Sequence, residues 1–355
     1  MKPALDVSLH AVLLLAWGTL AMVLLLVLGL LLLRWVRWRN APRRAAFQAL
    51  WRARLIRCAL VDTADEPLPT LKARDRWDFM KLWLHCQMSL QGPPTARLAA
   101  LGRTLGCGPM AMRKLGSRYA AERLMAILAL GFLKDASAQA ALQSCLLQAS
   151  SQTAVHAARA LLEIDASRHA NQVASALLAR SDLDLSLVSA MLKPFREPLR
   201  QALLTQLRED PSLNDSASAL LWLRLSRALK LQLPAQVLSP FMRQGQDAEV
   251  LMAALRLAQG EGGTADVVGH AQHPNWQVRA QVAQALGRIG GLGDADVLVR
   301  MTTDAQWWVR YRAAQALLHI PALGTERVRS LVVGTADRYA IDMLQAVLAE
   351  NGSGT

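Results

Sequence analysis

Residues 273–290 read HPNWQVRAQVAQALGRIG, and residues 304–321 read DAQWWVRYRAAQALLHIP. Trp276, Val278, Arg279, Ala283, Gln284, Ala285, Leu286 and Ile289 return as Trp307, Val309, Arg310, Ala314, Gln315, Ala316, Leu317 and Ile320, each 31 residues later. The Ala285-Leu286 pair carries the pattern outward in both directions. Forward of Ala316-Leu317 lies Val347-Leu348; backward, with one single-residue slip, lie Ala254-Leu255, Trp222-Leu223, Met191-Leu192, Ala160-Leu161 and Ala129-Leu130. A leucine holds the second position in all eight registers. A second echo, Ala265-Asp266-Val267, returns 30 residues later as Ala295-Asp296-Val297.

A period near 31 with two apolar helical stretches per unit is the pattern of an α-solenoid. Each unit is a helical hairpin that cannot bury its apolar faces alone, so neighbours stack to share one core. In the clearest unit ADVLVRMTT (295–303) reads as a first helix, Asp304-Ala305-Gln306 as the turn, and WWVRYRAAQALLHI (307–320) as the second helix. Val309, Ala313, Ala316, Leu317 and Ile320 recur at helical spacing on one face of it. Pro321 and Gly324 supply the stop. Composition agrees: the chain is 53% hydrophobic but only 5% aromatic, with alanine and leucine dominating, which favours helix over sheet. The expected class is all-α.

The pattern V-R-x-x-x-A-x-A-L in VRAQVAQAL and VRYRAAQAL resembles the HEAT repeat, in the short form found in bacteria and in phycobilisome-lyase-like proteins. The resemblance extends over residues 117–350 and weakens toward residue 117. SRYAAERLMAILALGFLKD (117–135) and SQTAVHAARALLEID (151–165) keep the alanine and leucine core without the Val-Arg pair. Residues 73–116 read as two amphipathic helices parted by Gly92-Pro93-Pro94, expected to cap the open end of the stack. By resemblance the second helix of each unit lines a concave face, and the arginine of the Val-Arg pair forms an internal ladder with turn residues. Arginine and tryptophan are also the residues favoured at binding hot spots. Trp276, Arg279, Trp307, Trp308, Arg310 and Arg312 are therefore the candidate partner-binding residues, with Trp308 and Arg312 additions to the shared pattern.

The N-terminal part reads differently. After a ten-residue tail, residues 11–33 carry no charge, a run long enough for a transmembrane helix with some tilt. Eight arginines and no acid follow between residues 34 and 61, a large share of the formal charge of +13. By the positive-inside rule this places the chain as a single-pass protein of the bacterial inner (cytoplasmic) membrane, N-terminus out and C-terminal domain cytoplasmic. Arg34, Trp35, Arg37, Trp38, Arg39, Arg43 and Arg44 are the candidate membrane-interface residues, facing anionic lipid, and Phe47, Leu50, Trp51 and Leu55 are expected toward lipid. Residues 62–72, with Pro67 and Pro69, read as a linker, and residues 351–355 as a flexible tail.

Catalytic motifs do not emerge. GRIGGLGD (287–294) lacks a preceding strand and the spacing of a dinucleotide loop, so it reads as an inter-helix turn. Cys58, Cys86, Cys107 and Cys145 are scattered and read as small buried hydrophobes. His270 and His273 sit close, with Asp266 a turn away, but read as surface and turn residues rather than metal ligands. Asp75/Asp78, Asp182/Asp184 and Asp294/Asp296 read as helix caps. No cofactor and no enzyme activity are expected. The functional expectation is a membrane-anchored scaffold or adaptor that binds a protein partner, and resemblance to similar bacterial proteins implies envelope or exopolysaccharide machinery. The alternatives are a HEAT-like enzyme of the bilin-lyase or DNA-glycosylase kind, or a nucleic-acid-binding solenoid. A glycosylase would want a basic groove holding an acid, whereas the excess charge here clusters at residues 34–61.

Overall fold

The computed structural model describes residues 3–60, 68–90, 92–209, 215–260, 263–320 and 323–352. Every regular element among them is helical, with no strand among the described residues. The chain divides into two compact units, residues 1–113 and 114–355.

The first unit holds α1 (Pro3–Leu60), α2 (Arg76–Ser89) and α3 (Pro93–Thr104), with α4 (Cys107–Leu115) beginning at its end. Its core forms where the C-terminal part of α1 packs on α2 and α3. Trp51 and Leu55 are buried there, the Trp51 ring standing edge-on to Phe79 with centroids 4.7 Å apart. The Trp83 indole N–H donates to the Leu98 carbonyl at 2.7 Å, so this wholly buried ring leaves no polar atom unmatched. Pro93 at the start of α3 costs no helical hydrogen bond, since first-turn N–H groups have no partner within the helix.

These contacts correct the reading of residues 34–60. Trp51 and Leu55 face α2 and α3, not lipid, because an amphipathic helix beside other helices buries its apolar stripe among them. Leu50 remains exposed and Phe47 half-buried. Of the expected interface residues, Arg43 is paired with Asp75 at 2.5 Å, and the Arg39 guanidinium lies 5.2 Å from the Trp35 ring. Arg34, Trp38 and Arg44 are exposed, while the Arg37 side chain lies outside the described residues.

The membrane localisation is also corrected: among the described residues no helix is long and apolar enough to cross a membrane. The apolar side chains described on α1 run over residues 17–32, sixteen positions. The side chains of residues 11–16 and 33, the rest of the expected span, lie outside the described ones. Most of the linker, residues 61–67, lies outside the described residues as well.

The second unit is a succession of helical hairpins. In chain order its helices are α5 (Ala120–Leu133), α6 (Gln139–Gln148), α7 (Ser151–Leu178), α8 (Leu185–Leu192), α9 (Arg196–Glu209), α10 (Ser216–Ala228) and α11 (Ala235–Leu238). They continue as α12 (Ala248–Leu257), α13 (Thr264–Val268), α14 (Trp276–Ile289), α15 (Ala295–Met301), α16 (Trp307–His319), α17 (Thr325–Val333) and α18 (Arg338–Gly352). One row packs in strict succession: α5 on α7, α7 on α8, α8 on α10, then α12, α14, α16 and α18. The eight leucine registers fall one to each helix of this row. Seven of those leucines are buried, and only Leu348, in the last helix, is half-exposed. The periodic position is thus the core position of the stack.

Two departures from a uniform hairpin matter. Helix α7 is two legs joined at Asp165, whose φ of −156° and ψ of 100° are not helical. Its carboxylate accepts the Arg168 N–H at 3.0 Å, capping the second leg, so one residue does the work of a whole turn. Glycine sets the closest approaches in the row. A Cβ on Gly131 would stand 2.8 Å from the Ala160 Cα, and one on Gly287 would stand 2.9 Å from the Ala316 Cα. Both glycines directly follow the register leucine, and both face the first residue of the next register pair, 29 positions on.

Candidate functional site

The doubled stretch forms α14 and α16. Arg279, three residues into α14, donates through Nη1 to the carbonyls of His273 and Pro274, at 2.8 and 3.1 Å. Arg310 repeats this at the carbonyls of Asp304 and Ala305, at 2.8 and 3.3 Å. Arg123, at the same place in α5, does so with Ser117 and Arg118 at 2.9 and 3.3 Å. In each case the arginine folds back to satisfy carbonyls of the turn that precedes its own helix. Sequence inspection passed over Arg123 because the residue before it is Glu122 rather than valine; the spacing from the register leucine, seven positions in all three, was the available signal.

Arg279 goes further. Its Nε and Nη2 grip both Asp304 oxygens at 2.7 and 2.9 Å, a bidentate bridge from one unit to the turn of the next, with both side chains under 15% exposed. Burial pushes the Asp304 carboxyl up, but hydrogen bonds from Arg279 and the Gln306 N–H, with the charges of Arg279 and Arg310, hold it below the ordinary range. The same bond raises Arg279. Position 335, the counterpart of 304, is Thr335. Arg310 therefore finds no carboxylate there: its Nε is buried without a hydrogen-bond partner among the described residues, and the guanidinium lies 5.4 Å from the Tyr339 ring. Arg279 and Arg310 both have internal roles as rungs of a ladder.

Of the remaining candidates, Trp276 opens α14, and Trp307, Trp308 and Arg312 lie on α16. Trp308, Tyr311, Arg312, Gln315 and His319 follow one another at helical spacing, a polar and aromatic stripe away from the buried Val309, Ala313 and Ala316. Trp307 stacks on Tyr311 with centroids 5.1 Å apart, and Trp308 meets Trp307 edge-on at 4.8 Å. The two indoles are nevertheless 47% and 51% exposed, and Trp276 is 37% exposed. Arg312 donates to the Gln315 side-chain carbonyl at 2.9 Å and lies 5.7 Å from the Tyr311 ring. Gln315 donates to the Tyr311 hydroxyl, which donates in turn to Glu350 of α18, both at 2.8 Å.

The polar line continues onto earlier helices of the row. Arg256 of α12 donates to Gln281 of α14 at 3.2 Å, Gln281 to Gln284 at 3.1 Å, and Arg224 of α10 meets Glu249 at 3.3 Å. Tyr311 and the glutamines were missed as functional candidates because a glutamine in a helix carries no motif; its meaning appears only when neighbouring helices align.

Two open grooves flank α14. One, about 470 Å³, is lined by His273, Arg279, Arg300 and Asp304 among others; the other, about 330 Å³, lies between α14 and α16. Among the described residues no group of three or more His, Cys, Asp or Glu is placed to hold an ion. His270, expected at the surface, is buried, its Nε2 2.6 Å from the Met242 carbonyl, while the His273 Nδ1 accepts the Asn275 N–H at 3.1 Å. Asp184 caps α8 through two backbone N–H groups. Cys107 is sealed in the core, where burial pushes its thiol up to about 12.

Comparison with known proteins gives the repeats a name. Residues 235–318, from α11 to the end of α16, match the HEAT repeats family. No curated protein matches the chain. Among solved structures, an engineered protein determined by the Northeast Structural Genomics Consortium is similar at 18% identity, over 77% of this chain and 85% of that one, with a TM-score of 0.35.

Proposed function

We propose that the second unit is a non-catalytic protein-interaction scaffold whose contact surface centres on α16. HEAT repeats in residues 235–318 support the class of activity, since stacked hairpins supply a long surface without needing catalytic groups. The observation that carries the reading is the aromatic group Trp307, Trp308 and Tyr311, packed against itself yet half open to solvent. Tryptophan, tyrosine and arginine are enriched at binding hot spots, and Trp308 and Arg312 both contact Tyr311 on this face of α16. Arg279 and Arg310 support the surface by fixing the turns from which α14 and α16 start. Trp276, Trp307, Trp308 and Arg312 make the contact.

The test is a crosslinking pull-down with the full-length protein beside a Trp308→Ala, Arg312→Ala double variant. Recovery of one protein by the wild type and its loss from the double variant is the expected result. A partner that survives both substitutions moves the contact elsewhere on the molecule.

A further inference from the structure

The groove of about 330 Å³ between α14 and α16 is lined by Gln284, Gly287, Arg288, Arg312, Gln315 and His319, with no carboxylate among its walls. Its existence follows from the glycine contact. Because Gly287 has no side chain, α14 and α16 close on one another at Ala316, and the longer side chains on either side stand up as walls.

Cationic groups continue from the groove onto the neighbouring helices. Arg288 reaches the Leu255 carbonyl of α12 at 2.7 Å, which ties its guanidinium across two helices. Arg256 of α12 is held by Gln281, and Arg227 of α10 stands near both. Burial and then the charge of Arg227 lower the pKa of Arg288; burial, Arg227 and Arg224 lower that of Arg256. Like charges have been brought together, and among the described residues no carboxylate contributes a compensating effect at either arginine. The acids nearest along the row have partners of their own: Glu249 pairs with Arg224, and Glu350 accepts from Tyr311.

We infer that this groove, together with the arginines that continue from it along Arg256 and Arg227, binds a short acidic segment of a partner protein in extended conformation. The inference rests on the scaffold reading and deepens it by naming the chemistry of the partner. Three features select a peptide. Stacked helices lie about 8–10 Å apart, so arginines on successive helices recur at about every third residue of an extended chain rising about 3.3 Å per residue. The side-chain amides of Gln284 and Gln315 each offer a donor and an acceptor, as a peptide backbone requires. The line covers the four successive helices α10, α12, α14 and α16, about 24–30 Å at 8–10 Å per step, room for a few carboxylates rather than for a long polyanion such as nucleic acid.

The test uses the full-length protein and a fluorescent ten-residue peptide with glutamate at every third position, read by polarisation. Its companions are the same peptide with glutamine for glutamate and a single-stranded oligonucleotide of ten thymidines. The expected result is binding of the glutamate peptide, at least tenfold weaker binding of the glutamine peptide, and progressive release as salt rises. An Arg288→Gln, Arg312→Gln variant with unchanged helical circular dichroism loses the preference for glutamate, and Arg338→Gln, on α18, keeps it. Equal binding of the two peptides, no binding of the acidic one, or tighter binding of the oligonucleotide overturns the inference. A protein recovered through Trp308 that the acidic peptide does not displace also overturns it, while leaving the scaffold reading in place.

Discussion

Helices α14 and α16 start from nearly identical sequence, yet the contacts they make to the next unit differ. Arg279 bridges forward to Asp304; Arg310, at the same point, meets Thr335 and turns to the Tyr339 ring. Gly287 lets α14 sit against Ala316, whereas its counterpart on α16 is Leu318 and the residue it would face is Val347. What the two share is everything that looks backward or inward: the arginine to its own turn, the register leucine in the core. What differs is everything that looks forward. A repeat is conserved within a unit by its own folding, but each junction is settled between two neighbours, and the neighbours here are different.

That distinction can be broken most directly in the core. Leu286→Ala and Leu317→Ala each remove a wholly buried side chain from equivalent positions, and each is expected to cost about 2–5 kcal/mol in denaturant unfolding. A cost below about 1 kcal/mol at one site only would show that the twins are not equivalent inside their units. The junctions come next. Gly287→Val drives a branched side chain into the Ala316 backbone and is expected to lose about 1–3 kcal/mol, while Leu318→Val, where a side chain already fits, loses under about 1 kcal/mol.

The smallest effects concern the ladder and depend on pH. Asp304 has a folded pKa below its unfolded one, so its stabilisation is complete above about pH 4 and is lost as pH falls through the lowered folded value. Asp304→Asn is expected to cost about 1–2 kcal/mol at pH 7, with wild type and variant converging in strong acid. Thr335 already accepts the Asp337 N–H through its hydroxyl, at 3.3 Å, as Asp304 accepts that of Gln306. Thr335→Asp keeps that role and offers Arg310 a carboxylate; it is expected to gain about 0.5 kcal/mol at pH 7 and to lose the gain in high salt. A destabilised Thr335→Asp would mean that the second junction differs in backbone and not only in side chains.

The repeat and its register were legible in the sequence because a buried leucine at fixed spacing is a one-dimensional signal. The Gly131–Ala160 and Gly287–Ala316 contacts obey the same spacing, but small residues are common enough in this chain to hide it. The α16 stripe was half legible: tryptophan and arginine drew notice, while Gln281, Gln284 and Gln315 acquire meaning only across helices. The N-terminal part misled for a different reason. Arginines alternating with Trp51 and Leu55 look alike whether the apolar stripe meets lipid or other helices, and the decision lay with α2 and α3, far along the chain.

The one-residue joint at Asp165 has a mechanical consequence. Where several residues connect two helices, torsion spread over them lets the helices tilt a little at small energetic expense. A single extended residue, locked by the bond to the Arg168 N–H, concentrates any bending in one pair of torsions. The stack therefore flexes unevenly under load, stiff at the elbow of α7 and at the turn 302–306 that Arg279 and Arg310 pin, and more compliant where longer connections join its helices.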